Sequence, residues 1–202
     1  MRISFDIDDT LICNPAIPSE QHLGWWRRWR YPEPLRRGTR ALMAALAQRQ
    51  CTIWLYTSSC RCPRYLKAWF ASLGIPIEGV VNQARHEHLI GWRGPSKFPP
   101  AFGIDLHVDD SLGVAMEGAD HRFAVLVIAP EDPDWVQRVL DEVDARLQAK
   151  AEPTLNSNAA GQSVRMGRLL RQGFGRVGQS GWVDSPLPEY AIDFSKPDAE
   201  AA

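Results

Sequence analysis

The chain has 202 residues, 45% of them apolar, with 23 Lys and Arg against 24 Asp and Glu and a formal net charge of −1. That length supports about one domain, and the balanced charge excludes a global electrostatic pull toward nucleic acid or a membrane. No apolar stretch reaches transmembrane length, no apolar secretory core follows Met1-Arg2-Ile3-Ser4, and four cysteines make no disulfide framework, so a cytoplasmic protein with reduced thiols and no membrane partner is expected.

Arg2-Ile3-Ser4-Phe5 reads as a first strand, and Asp6-Ile7-Asp8-Asp9-Thr10 follows it directly. In an open parallel sheet, ligands bind outside the carboxyl ends of the strands, so carboxylates there are placed to work on a substrate. Their uncompensated charge calls for a cation. Asp6 and Asp8, two residues apart, suit a hard ion such as Mg²⁺: a carboxylate and a backbone carbonyl ligate it, and waters and substrate oxygens complete an octahedron. The plainer alternative is an Asp-rich turn that caps the next element.

The next feature is Trp25-Trp26-Arg27-Arg28-Trp29-Arg30-Tyr31, four aromatics interleaved with three cations. Such a segment stacks a base or aromatic ring and holds a phosphate, which makes Trp25, Arg27 and Arg28 candidate substrate contacts. Equally, Trp25, Trp26 and Trp29 on a short helix would pack on the domain while the arginines face water. Pro34 to Gly38 leads into a helix with Leu42, Ala45 and Leu46 on one side.

Thr52–Tyr56, β-branched and aromatic without charge, predicts a buried strand that ends in Thr57-Ser58-Ser59. A helix over Pro63 to Leu73 places Tyr65, Leu66, Trp69, Phe70 and Leu73 at helical spacing, and Gly79-Val80-Val81 is a further strand. Lys97 lies in the loop Pro95-Ser96-Lys97-Phe98-Pro99-Pro100. The strand Ile104–Val108 then runs into Asp109-Asp110-Ser111, a second carboxylate pair at a second strand end. Phe123–Ile128 reads as a buried strand, and Pro133 to Lys150 as an amphipathic helix with the stripe Trp135, Val139, Leu140, Val143 and Leu147.

Beyond residue 150 the composition turns to Gly, Ser, Asn, Gln and Pro, so the division is a domain over 1–150 and a low-complexity C-terminal extension over 151–202. The extension holds a short helical candidate, Val164 to Leu170, and the basic run Arg165, Arg168, Arg171 and Arg176. Cys60, Cys62, His86 and His88 are four potential zinc ligands. Their C-x-C and H-x-H spacings are not those that structural zinc favours, and zinc is not expected as a cofactor.

Phe5-Asp6-Ile7-Asp8-Asp9-Thr10-Leu11 resembles the first motif of the haloacid dehalogenase-like (HAD) hydrolases, and Thr57, Lys97 and Asp109-Asp110 match the family's second, third and fourth motifs in order. The resemblance implies a Rossmann-like α/β fold with a central parallel sheet flanked by helices. It implies a Mg²⁺-dependent phosphatase that hydrolyses phosphate monoesters, with Asp6 as nucleophile and Asp8 as general acid/base. It further implies that Thr57 and Ser58 bind phosphate, that Lys97 offsets the crowded charge, and that Asp6, Asp8, Asp109 and Asp110 form the metal site, Asp110 ligating directly and Asp109 acting through water or on the lysine. Lys67 is the other lysine in range, out of motif order.

Neither the stretch after Thr10 nor that between Thr57 and Lys97 leaves room for a folded cap. By the resemblance, a capless member takes a phosphorylated substrate that is bulky or macromolecular, or borrows a lid from a second copy in a homodimer. The Trp/Arg segment then stands where such proteins carry a flap over the site. Two alternatives remain: a nucleotide or polynucleotide end-processing phosphatase, with nucleic acid as partner, and a non-catalytic binding or regulatory protein.

Overall fold

The structure, a computed structural model, describes residues 1–12, 14–20 and 24–166, and of residues 27, 28 and 152–166 it describes the backbone alone. The side chains of Arg27, Arg28 and Arg165, and all of Arg168, Arg171 and Arg176, lie outside the described residues, as does the end of the helix expected over Val164 to Leu170. Met1–Asn158 forms one compact unit.

Five strands build its sheet: β1 (Arg2–Phe5), β2 (Thr52–Tyr56), β3 (Gly79–Val81), β4 (Leu106–Asp109) and β5 (Val125–Val127), in the order β3-β2-β1-β4-β5 with every pair parallel. The helices are α1 (Trp25–Arg30), α2 (Thr39–Gln48), α3 (Pro63–Ser72), α4 (Gln83–Ile90), α5 (Leu112–His121) and α6 (Trp135–Met166), with a 3₁₀ turn over Pro99–Phe102. An all-parallel sheet needs crossovers that cover it, and α2 packs on β2, α3 and α4 on β3, and α5 on β5. This is an α/β, Rossmann-like arrangement. Its strand order reverses between β1 and β4, the switch point beside which such sheets bind ligands.

The period of two along each strand sorts side chains to opposite faces. Ile3, Phe5, Ile53, Leu55, Leu106 and Val108 join one core with Leu42 and Leu46 of α2, Leu66 and Phe70 of α3 and Val139 and Val143 of α6. Their neighbours Trp54 and Tyr56 point into a second, smaller core with Val81, Phe102 and Ile104. Ser4 and His107, paired across β1 and β4, share that second face and are fully buried. At these two positions the sheet is polar inside, and each polar group has a partner.

The larger core explains the sequence patterns well. The apolar residues expected on the helix over Pro63 to Leu73 place Leu66, Trp69 and Phe70 in the core, with Tyr65 and Leu73 packed at its margin. Trp135, Val139 and Val143 of α6 are buried, and Leu140 and Leu147 pack beside them. Gly38 opens α2 at φ 95°, where a Cβ would meet Val136 at 2.7 Å, so the start of α2 can lie against α6 only without a side chain.

Two expectations change. α4 forms without an apolar stripe, begun by Asn82, whose side chain accepts from the Arg85 N–H. The last helix runs to Met166, past the end expected at Lys150. That stretch includes Pro153 and Gly161, both poor helix formers, so residue propensity does not account for the extension. No described helix is long and apolar enough to cross a membrane.

Candidate active site

The ends of β1, β2 and β4 carry the polar residues because each strand spends its apolar positions on the two cores and then turns. Asp6 still belongs to the ladder, its N–H donating to the Val108 carbonyl at 2.9 Å, and Thr57 likewise donates to Val81 at 2.9 Å. Asp6 therefore emerges next to Asp109. After Asp6 the chain closes a tight loop in which the Leu11 and Ile12 N–H groups both reach the Ile7 carbonyl, and Asp9 takes the left-handed conformation at φ 57°. Asp tolerates that region better than most residues. The loop leaves Asp8 half-exposed at the mouth of a cleft of about 420 Å³, which Asp6, Thr57, Ser58, Lys97, Asp109 and Asp110 also line.

The expected catalytic and metal residues are thus brought to one cleft. Lys97 is almost wholly buried, and its ammonium donates to Asp6 Oδ1, to Asp109 Oδ2 at 3.1 Å and to the Tyr56 carbonyl at 3.0 Å. Lys67 instead donates to the Glu78 carbonyl at 2.8 Å and is exposed there. The Lys97 loop is pinned from below: the Tyr56 hydroxyl accepts from the Phe98 N–H at 2.9 Å and lies 2.5 Å from His86 Nδ1.

Electrostatics separates the carboxylates. Burial pushes Asp6 from 3.8 up to about 6 against the pull of Lys97, and the charges of Asp109 and Asp8 add to the rise. Burial would also raise Asp109, but the hydrogen bond from His107 and the Lys97 charge outweigh it and hold that carboxyl well below the usual range. Asp110 is raised by burial and by its neighbour Asp109, and its Oδ1 accepts from Thr10 at 3.2 Å. Asp6 and Asp109 flank one ammonium yet differ in proton affinity, because Asp109 has two further donors, His107 and the Ser111 N–H at 2.9 Å.

Thr57 is buried. Its hydroxyl accepts from the Ser59 N–H and donates to Ser59 Oγ, both at 3.1 Å, which fixes the turn, while Ser58 faces the cleft exposed. The segment over 25–31 does not pack its indoles on the domain. Trp25, Trp26 and Trp29 are 74%, 60% and 72% exposed; Trp25 stacks on Trp26 with centroids 5.1 Å apart, and Trp29 meets Trp26 edge-on at 5.4 Å. Tyr31 anchors the segment instead, against Tyr65 and Trp69 of α3.

Three residues of the site carry no mark in the motifs. Arg61 clamps both oxygens of Asp8 at 2.7 Å each and reaches Glu33 at 2.6 Å. His107 braces Asp109 from inside the sheet. A histidine inside an apolar strand was the visible signal for the last, since a buried polar side chain must find a partner. The cysteines beside Arg61 are exposed, and His86 is buried against Tyr56.

Oxygen donors dominate the cleft, and Mg²⁺ fits such a set. It binds through one or two carboxylates, with waters and phosphate oxygens filling the remaining positions, and needs no all-protein cage. Among the described residues no group of three or more His, Cys, Asp or Glu is drawn together as such a cage. Burial is the main cause of the rise at Asp6, and the smaller part that Asp109 and Asp8 add is what a divalent ion would relieve. No protein-family model matches the chain, and a search of curated proteins finds no match.

Proposed function

We propose that the protein is a Mg²⁺-dependent phosphatase of the haloacid dehalogenase-like kind, hydrolysing phosphate monoesters through an aspartyl-phosphate. The observation that carries this reading is the buried Lys97 ammonium shared by Asp6 and Asp109 at the carboxyl ends of adjacent strands. That arrangement gathers a carboxylate nucleophile and its charge compensation at the switch point of a parallel sheet.

Asp6 and Asp110, with the backbone carbonyl of Asp8, would hold the metal. When bound, Mg²⁺ neutralises the non-bridging oxygens of the phosphoryl group. A carboxylate oxygen of Asp6 bonds to phosphorus, the ester P–O bond breaks, and the departing oxygen takes a proton from the Asp8 carboxyl. A water then attacks phosphorus, gives its proton to the Asp8 carboxylate, and the Asp6–phosphorus bond breaks to release inorganic phosphate. Lys97 holds Asp6 in place and offsets its charge, the exposed Ser58 after Thr57 faces the phosphoryl oxygens, and Asp109 keeps Lys97 in register.

The test is hydrolysis of an aryl phosphate with and without Mg²⁺ by wild type and Asp6→Asn. Metal-dependent turnover lost in the variant is expected; no turnover by the folded wild type overturns the reading for small monoesters. One observation favours the nucleotide or polynucleotide form of the same chemistry: three exposed indoles, two stacked and the third edge-on, are the kind of surface on which bases stack. Comparing an aryl phosphate with 3′- or 5′-phosphorylated oligonucleotides decides between the two.

A further inference from the structure

The ammonium of a lysine has three N–H donors, and Lys97 spends them on Asp6, Asp109 and the Tyr56 carbonyl. Four carboxylates line the cleft, Asp6, Asp8, Asp109 and Asp110, and a phosphate monoester would bring further negative charge. The buried lysine therefore meets the charge already there and has no N–H left for the newcomer.

Arg61 is a second cation bonded to a carboxylate of this cleft. Its fork makes two parallel bonds of 2.7 Å to Asp8, the geometry with which a guanidinium also grips phosphate. The backbone of Arg61 is fixed, since Asn82 Nδ2 donates to its carbonyl at 3.2 Å. Asp8 is 52% and Arg61 22% exposed in their side chains, so an anion arriving from solvent can reach the pair. Glu33 takes one edge of the same guanidinium at 2.6 Å. While the fork is closed, both oxygens of Asp8 accept from Arg61, which holds the carboxylate to the guanidinium.

We propose that Arg61 leaves Asp8 for the phosphate group of the substrate, and that Glu33 competes with that phosphate for the guanidinium. The exchange supplies the donors that Lys97 lacks and frees the Asp8 oxygens at the moment a phosphate occupies the cleft. This rests on the phosphatase reading for its substrate, a phosphate monoester, and makes Arg61 a binding residue and Glu33 a brake on it.

The two partners of the ion pair should then respond in opposite directions. With the Mg²⁺-loaded full chain and inorganic phosphate as the probe, calorimetry should show Arg61→Gln binding at least tenfold more weakly than wild type. Arg61→Lys should fall between the two, and Glu33→Gln should bind several-fold more tightly. KM for an aryl phosphate should follow the same order.

Thermal melts confirm folding, and Glu33→Gln carries the test alone if Arg61→Gln does not fold. Equal weakening in both variants makes the pair a structural brace and overturns the proposal, as does unchanged binding in both or no phosphate binding by wild type. Wild type that binds phosphate with the expected order of variants but hydrolyses no ester leaves Arg61 assigned and sinks the phosphatase reading instead.

Discussion

His107 Nε2 stands 2.9 Å from Asp109 Oδ2, the same oxygen that receives Lys97, while its Nδ1 lies 2.8 Å from Ser4 Oγ on the neighbouring strand. The ring is wholly buried, and burial lowers its proton affinity, which favours the neutral form. A neutral ring that donates to Asp109 must accept from Ser4, so the bond across the sheet selects the tautomer that steadies the carboxylate. His107→Phe strips Asp109 of a buried donor and orphans Ser4. It should cost about 2–3 kcal/mol in urea unfolding, whereas Ser4→Ala, which removes the far bond alone, should cost about 1 kcal/mol.

Asp6 gives the site a pH signature in metal-free protein. Its folded value of about 6 exceeds the ordinary 3.8, so between those values the native state keeps a proton that the unfolded chain has lost. Stability contributed by this group is therefore full below about pH 4 and falls as pH rises toward 6. Asp6→Asn removes the penalty. In EDTA the variant should exceed wild type by up to about 3 kcal/mol above pH 6, with the gain vanishing on acidification to pH 4. A variant less stable than wild type at pH 7 would contradict this.

Tyr56 holds the loop that delivers Lys97. Burial pushes its hydroxyl up to about 12, so it stays neutral and accepts from the Phe98 N–H. Tyr56→Phe leaves that amide unpaired and His86 without its oxygen partner. A loss of about 1–3 kcal/mol is expected, together with faster hydrogen exchange at Phe98 than at the amides of α2, which this change does not touch.

The close approach of β3 to β2 is a packing test. A Cβ on Gly79 would meet the Trp54 ring at 2.5 Å, so Gly79→Ala should destabilise by about 1–3 kcal/mol through overpacking. In the background of Trp54→Leu the same substitution should cost less, and additive costs in the double variant would place the strain elsewhere.

The sheet and the cleft were legible because their signals are local. Uncharged strands such as Thr52–Tyr56 end where carboxylates or hydroxyls begin, and Asp6, Asp8, Thr57, Lys97, Asp109 and Asp110 all line one cleft. α4 escaped because its sequence lacks an apolar stripe; the cap residue Asn82 was its mark. The indoles of Trp25, Trp26 and Trp29 had two readings at one spacing, and only the structure shows them in water. Arg61 and Glu33 were invisible for a different reason. Their meaning lies in a bond between segments distant in the chain, and no spacing within either segment encodes it.

The central strand β1 precedes both of its partners in the chain. β1 pairs with β2 through Arg2 and Thr52, and with β4 through Ile3 and Leu106. A growing chain therefore carries Asp6 and Asp8 without Lys97 or Asp109 until the residues through β4 have been made. Both ladders of β1 close long loops, which is the topology that slows folding. The order of translation thus keeps the cleft unassembled in every nascent fragment that stops short of β4, and folding of this unit waits on the last partner of its first strand.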